Sequence, residues 1–229
     1  MIKYPSIETV FVRGEDNRLK FGVNRIAEVD LINRWTISEK IDGTNIRVTY
    51  RIVEGERSVS VAGRTDKAEL PSGMMDAIFR TFPKSLDEVF GYFEQARTSS
   101  LPWDDWSVTF YGEGYGAGIQ KGAVYNKQKA FRCFDIRYGG GAWEDDDTMR
   151  GICNDLDIPV APLITSQFAG HIPQTYDELF DLTGYSIVAA HENDTFDLIP
   201  EGIVAKPLRT LLNKYGERVQ WKLTYREFK

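Results

Sequence analysis

Ser38-Glu39-Lys40-Ile41-Asp42-Gly43-Thr44-Asn45 is the stretch on which the reading of this chain turns. The period-two alternation leading into it predicts a strand over Trp35–Lys40 that ends on the lysine. Lysine, spacer, acid and glycine at a strand end would hold an amine at a fixed point beside a tight turn. Taken alone the pattern is weak. K-x-D-G arises by chance in roughly one chain in twenty of this length, Asp42-Gly43 is an ordinary hairpin-turn signal, and a lysine at a strand end is by default a solvated charge. The other groups in the chain must therefore decide its meaning.

Length and composition set outer bounds. The chain has 229 residues, 42% hydrophobic and 13% aromatic, which allows a substantial core in one large domain or two small ones. No apolar run approaches the ~20 residues of a membrane helix, and the opening MIKYPSIETV has no apolar signal core. The expectation is a cytoplasmic protein with no membrane partner. Cys133 and Cys153 make neither a disulfide framework nor a metal set and read as buried free thiols. The net charge of −6 neither demands nor excludes nucleic acid, because a local basic stripe can coexist with acidic faces. There is no G-x-x-x-x-G-K-[ST] loop, which argues against P-loop ATP hydrolysis. The glycine-rich run 112–122 does not fit G-x-G-x-x-G either, since the sixth position falls on Ala117, Ile119 or Lys121.

Strand-like alternation recurs at 45–53, 58–62, 106–111, 130–137, 203–205 and 219–225, with Glu54-Gly55 as a hairpin turn. Helices are predicted behind the capping boxes Ser85-x-x-Glu88 and Thr175-x-x-Glu178, the first carrying Val89, Phe90, Phe93 and Ala96 and the second covering 176–182, and also at 146–156. The acidic run 144–147 reads as a solvated helix start. Tyr138-Gly-Gly-Gly-Ala142 is the one flexible patch, too short to link domains. Strands and helices without a βαβ rhythm indicate an α+β fold with antiparallel sheets, expected as a single domain over 1–229 with a helical elaboration at about 139–200. His171 and His191 lie outside every motif and read as surface or packing residues.

Four further segments accompany Lys40. They are Ala62-Gly-Arg-Thr65, Gly112-Glu-Gly-Tyr-Gly-Ala-Gly-Ile-Gln-Lys121, Phe131-Arg-Cys-Phe-Asp-Ile136, and Glu201-Gly-Ile-Val-Ala-Lys206 followed by Val219-Gln-Trp-Lys222. In this order the set resembles the ATP-dependent RNA ligases of the covalent nucleotidyltransferase superfamily, in particular those that seal breaks in duplex RNA. The resemblance runs from residue 35 to 224. Relatives acting on DNA or on RNA caps usually carry an arginine where this chain has Asn45. The implied fold is an adenylation domain, antiparallel sheets flanked by helices with an ATP pocket between them.

The resemblance implies a role for each residue. Lys40 would attack the α-phosphate of ATP and carry AMP. A free lysine has a pKa of about 10.4, and nearby positive charge and partial burial would lower it. Lys222 and a Mg²⁺ (or Mn²⁺) ion would supply that charge and stabilise the phosphoryl oxygens, with Glu201 as the metal's carboxylate. Glu113 would accept a hydrogen bond from the ribose, Phe134 would stack on adenine with Val204 as the opposite wall, and Glu39 would read the adenine edge. Asn45 would belong to the nucleotide site, Arg64 would engage AMP and the strand end, and Asp135 would stand near the 3′-hydroxyl. The implied substrate is RNA with 5′-phosphate and 3′-hydroxyl ends, with DNA or hybrid duplexes as alternatives.

Three departures accompany the likeness. The family's last motif often has two lysines one residue apart, whereas here the run is Lys222-Leu-Thr224, so a phosphate contact would fall to Lys206 or Arg226. Asp42 stands where duplex-sealing relatives often have histidine. The chain ends at Lys229, without room for an OB or small helical C-terminal domain, which implies a catalytic core that grips substrate by its own surface or through a protein partner. The rival readings are a DNA ligase or nucleic-acid 5′-adenylating enzyme on the same core, and a non-catalytic end-binding module. The last would be marked by loss of Lys40, Glu113 or Glu201, and all three are present.

Overall fold

The strand predicted to end on Lys40 does so. The computed structural model describes residues 2–95, 105–120 and 125–229. Among them the chain forms, in order, β1 (Phe11–Arg13), β2 (Leu19–Asn24), β3 (Trp35–Lys40), β4 (Thr44–Val53) and β5 (Glu56–Ala62). Then come α1 (Met74–Thr81), α2 (Leu86–Gln95), β6 (Asp105–Tyr115), β7 (Ala130–Tyr138) and α3 (Asp146–Asp155). The remainder is β8 (Leu163–Phe168), α4 (Tyr176–Thr183), α5 (Ile187–Asn193), β9 (Gly202–Pro207) and β10 (Trp221–Thr224), closed by a 3₁₀ turn over Tyr225–Phe228. This is the α+β arrangement expected, with every strand pairing inside the sheets antiparallel.

The chain divides into two compact units. The first comprises Met1–Tyr4, Gly43–Gly122 and Lys127–Val160, and its sheet has the order β5-β4-β6-β7. Glu54 and Gly55 both take positive φ (51° and 82°), the left-handed pair that a two-residue hairpin between twisted strands requires. Ile46, Val48, Tyr50 and Ile52 alternate onto one face of β4 and pack with Phe90, Phe93, Phe110, Phe131 and Ile136 under the helices. Ser85 and Glu88 exchange the reciprocal bonds of a capping box ahead of α2. Ala96 and Lys121 lie outside the described residues. The glycine patch is a tight turn: Tyr138 N–H bonds the Ala142 carbonyl and Gly141 N–H the Tyr138 carbonyl.

The second unit comprises Pro5–Asp42, Ala123–Asn126 and Ala161–Lys229. Its main sheet has the order β10-β9-β3-β8, beside the two-stranded ribbon β1-β2. Trp35 and Ile37 of β3, Ile203 and Ala205 of β9, and Trp221 and Leu223 of β10 point into its core. The intervening residues occupy the opposite face, and these include Lys40 and Lys222. The Thr175–Glu178 capping box opens α4 as predicted.

Five strands and α-helices, and the 3₁₀ turn over Ala27–Leu31, escaped the sequence reading. β1 and β2 are short and bury only Phe11 and Leu19, so alternation is diluted. β8 shows no clean in–out pattern. α1 follows a left-handed Gly73 with no side-chain cap, and α5 has only seven residues and depends on tertiary contacts at its start. Phe90 tests the first unit's core. It is fully buried, with its ring 6.0 Å from Tyr50 and 5.9 Å from Trp106. Phe90→Ala is expected to lower the unfolding free energy by about 3–5 kcal/mol, read from chemical denaturation.

Candidate active site

In the second unit the register of β3, β9 and β10 sets the site. Lys40 pairs with Gly202, which pairs with Thr224, and Ser38 pairs with Val204, which pairs with Lys222. Period two therefore puts Lys40, Val204, Lys206, Lys222 and Thr224 on one face. Gly202 leaves the centre of the Lys40–Thr224 row without a side chain. A Cβ there would sit 2.1 Å from the Leu223 carbonyl oxygen, so only glycine lets β9 and β10 close. Thr224, where relatives often have lysine, is fully buried, and its Oγ1 has no hydrogen-bond partner among the described residues. Lys206 is opposite Thr36, about 13 Å along the strand from Gly202.

Lys40 Nζ donates to Glu201 Oε2 at 2.5 Å, with 22% and 18% of the two side chains exposed. Burial, then the positive charges of Lys40 and Arg226, hold the Lys222 ammonium below the usual lysine range, against the pull of Glu201 and Glu8. Burial and then the Glu201 carboxylate push the Asp42 carboxyl above its ordinary value, against Lys40 and Arg226. Two cations and two carboxylates thus converge where β3 ends and β9 begins. Tyr125, for which the sequence carries no signal, touches the same point. Its hydroxyl accepts the Asp42 N–H at 3.3 Å and the Glu201 N–H at 3.2 Å.

Glu39, expected at the adenine edge, has both carboxylate oxygens engaged by α5. It accepts from Ser186 Oγ (2.6 Å), Ile187 N (2.9 Å) and Val188 N (3.2 Å), while Ser186 Oγ accepts from Ala189 N. A carboxylate on free helical N–H groups is the arrangement the helix dipole favours. It ties the residue before Lys40 to a seven-residue helix.

The first unit carries the remaining candidates. Asn45 of β4 and Glu113 of β6 are directly opposite. The Asn45 Oδ1 is buried with no protein donor among the described residues, a group that a bound polar ligand could satisfy. A Cβ on Gly43 would lie 2.3 Å from the Gly114 carbonyl oxygen, which explains the glycine of the K-x-D-G pattern. On β7 the register slips between Tyr111, opposite Asp135, and Gly112, opposite Cys133, so Phe134 is the extra residue of a bulge. The Tyr4 ring meets Phe134 edge-on at 5.0 Å, and the Tyr4 hydroxyl donates to Asp135 Oδ2 at 2.8 Å. Asp135 is 1% exposed, which places it beneath this cover. Arg64 is exposed at the end of β5, whose last turn is held by buried Arg47 through the Gly63 carbonyl and Asp66.

Elsewhere, His171 bonds Gln174 in a cavity of about 590 Å³ lined also by Trp35, at the end of β3 away from Lys40. Asp146, in the acidic run, pairs with Arg150 one turn on. No group of three or more metal-ligating side chains occurs among the described residues. No described helix is long and apolar enough to cross a membrane.

The family model for RNA ligase matches residues 33–224. The chain belongs to the RNA ligase family. Solved structures similar to it include a Naegleria gruberi RNA ligase mutant with ATP and Mn, at 17% identity and TM-score 0.62 over 97% of this chain and 56% of that one. A second mutant of that ligase, with AMP and Mn, matches at 16% identity and TM-score 0.60 over 97% and 56%. An archaeal ATP-dependent RNA ligase matches at 14% identity and TM-score 0.58 over 98% and 48%. These likenesses give the fold, that of the nucleotidyltransferases. The chain spans about half the length of these proteins. No curated protein sequence matches it.

Two predictions follow from the electrostatics of this RNA ligase family member. The Lys222 pKa is depressed in the fold, so between its folded and unfolded values the unfolded chain binds more protons and stability rises with pH. The penalty is complete below the folded value and gone above the ordinary value of 10.5. Lys222→Met should therefore melt above the wild type at neutral pH, with the gap closing towards that value. Glu39→Ala strips the acceptors from α5 and is expected to cost about 1–3 kcal/mol in urea denaturation.

Proposed function

We propose that the chain is an ATP-dependent RNA ligase that works through a lysyl-AMP intermediate on Lys40. The observation that carries the reading is the Lys40–Glu201 pair with Lys222 on the same sheet face, within a chain of this family. Attack requires the neutral amine, and Glu201 Oε2 is within reach of the departing proton. The Lys40 nitrogen forms a bond to the α-phosphorus while the bond to the β-phosphate oxygen breaks and pyrophosphate leaves. Lys222 stabilises charge on the phosphoryl oxygens.

An oxygen of the RNA 5′-phosphate then takes AMP from Lys40, which regains its proton. Finally the 3′-hydroxyl attacks that phosphate, loses its proton and expels AMP. With a good leaving group in place, the main demand of the last step is alignment. Asn45, Glu113, Phe134 and Arg64 are proposed to engage the adenosine and the strand end. Val204 is proposed as the apolar wall for the base, Lys206 as an auxiliary phosphate contact and Asp135 as the group nearest the 3′-hydroxyl. Glu39 is proposed to bear on adenine by fixing the end of β3.

A divalent cation fits this chemistry. Mg²⁺ or Mn²⁺ is a hard ion usually held by one or two carboxylates together with substrate phosphates and water. The Glu201 carboxylate beside Lys40, with Asp42 near it and no group of three or more ligating side chains among the described residues, suits such a site. When bound, the ion would supply positive charge at the phosphates.

Incubation with ATP and Mg²⁺ should add the mass of one AMP to the intact protein and none to Lys40→Ala. An unchanged wild-type mass overturns the reading. Lys222→Met should slow the addition by about 100- to 1000-fold. Sealing of matched RNA, DNA and hybrid nicks should depend on 2′-hydroxyls on the 3′-OH side. Equal sealing of all-DNA nicks would favour the DNA-ligase reading.

A further inference from the structure

The β3–β9 ladder ends at the pair Lys40 and Gly202. Beyond it the two chains diverge with Asp42 on one side and Glu201 on the other, and each presents a backbone N–H. Two donors cannot bond each other, and a buried N–H without an acceptor is costly. The Tyr125 hydroxyl oxygen is the acceptor for both, at 3.3 Å and 3.2 Å. It serves as an added rung where the ladder stops. The Tyr125 side chain is fully buried, and its neighbour Asn126 donates to Glu192 on α5 at 2.6 Å. Glu201 is held from its other side by the Tyr225 N–H on its carbonyl oxygen.

We infer that Tyr125 is a positioning residue that sets the approach of Lys40 to Glu201 by bridging the backbones of Asp42 and Glu201. The sheet fixes Lys40 only up to its own residue and Glu201 only from Gly202 onward. The side-chain separation of 2.5 Å therefore depends on how the segments just past the ladder are held. The phenol does this without adding charge, since burial pushes its pKa well above the ordinary value and keeps it neutral. It needs no contact with nucleotide or RNA.

This inference rests on the ligase reading for its effect on rate, and its test separates the two. Tyr125→Phe keeps the ring and removes only the bridging oxygen. Transfer of AMP from ATP to Lys40 is expected to slow by about 10- to 100-fold, the range for a small misplacement of reacting groups. Joining of an RNA already adenylated at its 5′ end should change little, because Lys40 is not the nucleophile there. Equal losses in both reactions, or no loss in the first, would overturn the inference.

Amide hydrogen exchange gives a second reading that needs no activity. Asp42 and Glu201 should be protected in the wild type and should exchange about tenfold or more faster in Tyr125→Phe, with Ile37 and Ala205 unaltered. Lack of protection at Asp42 and Glu201 in the wild type would overturn the bridge. Protection in a wild type that takes up no AMP would support the bridge and overturn the ligase reading instead.

Discussion

The end of the β3–β9 ladder, where Lys40 and Glu201 form a half-buried ion pair, is the constraint around which the second unit is arranged. Removing two charges from water is costly, and their attraction offsets this only when geometry is well held. Each element that reaches the pair holds some part of it. Gly202 allows β9 and β10 to close, Tyr125 and Tyr225 bond the Glu201 backbone, and Glu39, the residue before Lys40, is anchored to α5. The segment at Glu8 and Val10 bonds the Lys222 backbone on both sides.

The groups around the pair are not optimised for stability. Lys222 is held where its charge is disfavoured, and the Asp42 carboxyl is pushed the other way by burial and a like charge. Opposed pKa displacements gathered in one cluster mark it as a candidate functional site. The fold tolerates them because Trp35, Ile37, Ala205, Trp221 and Leu223 form an apolar layer on the other face of the same three strands. In the first unit the devices are backbone ones. The bulge at Phe134 displays an aromatic from a strand that otherwise alternates into the core, and Gly43 permits the close approach of β4 to Gly114.

Much of this was legible in the chain. The boundaries of β3, the hairpin at Glu54-Gly55 and both capping boxes follow from short-range rules and hold in the structure. Lys40, Lys222 and Glu201 could be singled out because their residue types recur in a known order. The occupation of Glu39 could not. Nothing local tells that a carboxylate next to the lysine will cap a helix nearly 150 residues later. Tyr125 was silent for the same reason, since its hydroxyl acts on two backbones remote in sequence. Asp135 is expected near the 3′-hydroxyl by resemblance alone, and nothing local tells that the N-terminal segment returns to bury it under Tyr4.

The sequence by itself determined which residues alternate onto which strand face, where helices start and which side chains are candidates for a functional site, because period and capping act over a few residues. Tertiary structure decided which of those side chains meet. Register between strands far apart in the chain, set by glycines that allow close approach and by buried groups that accept stray N–H donors, carries Lys40, Glu201 and Lys222 to one place. That register is a balance of packing and hydrogen bonding over the whole unit, and no local window of residues contains it.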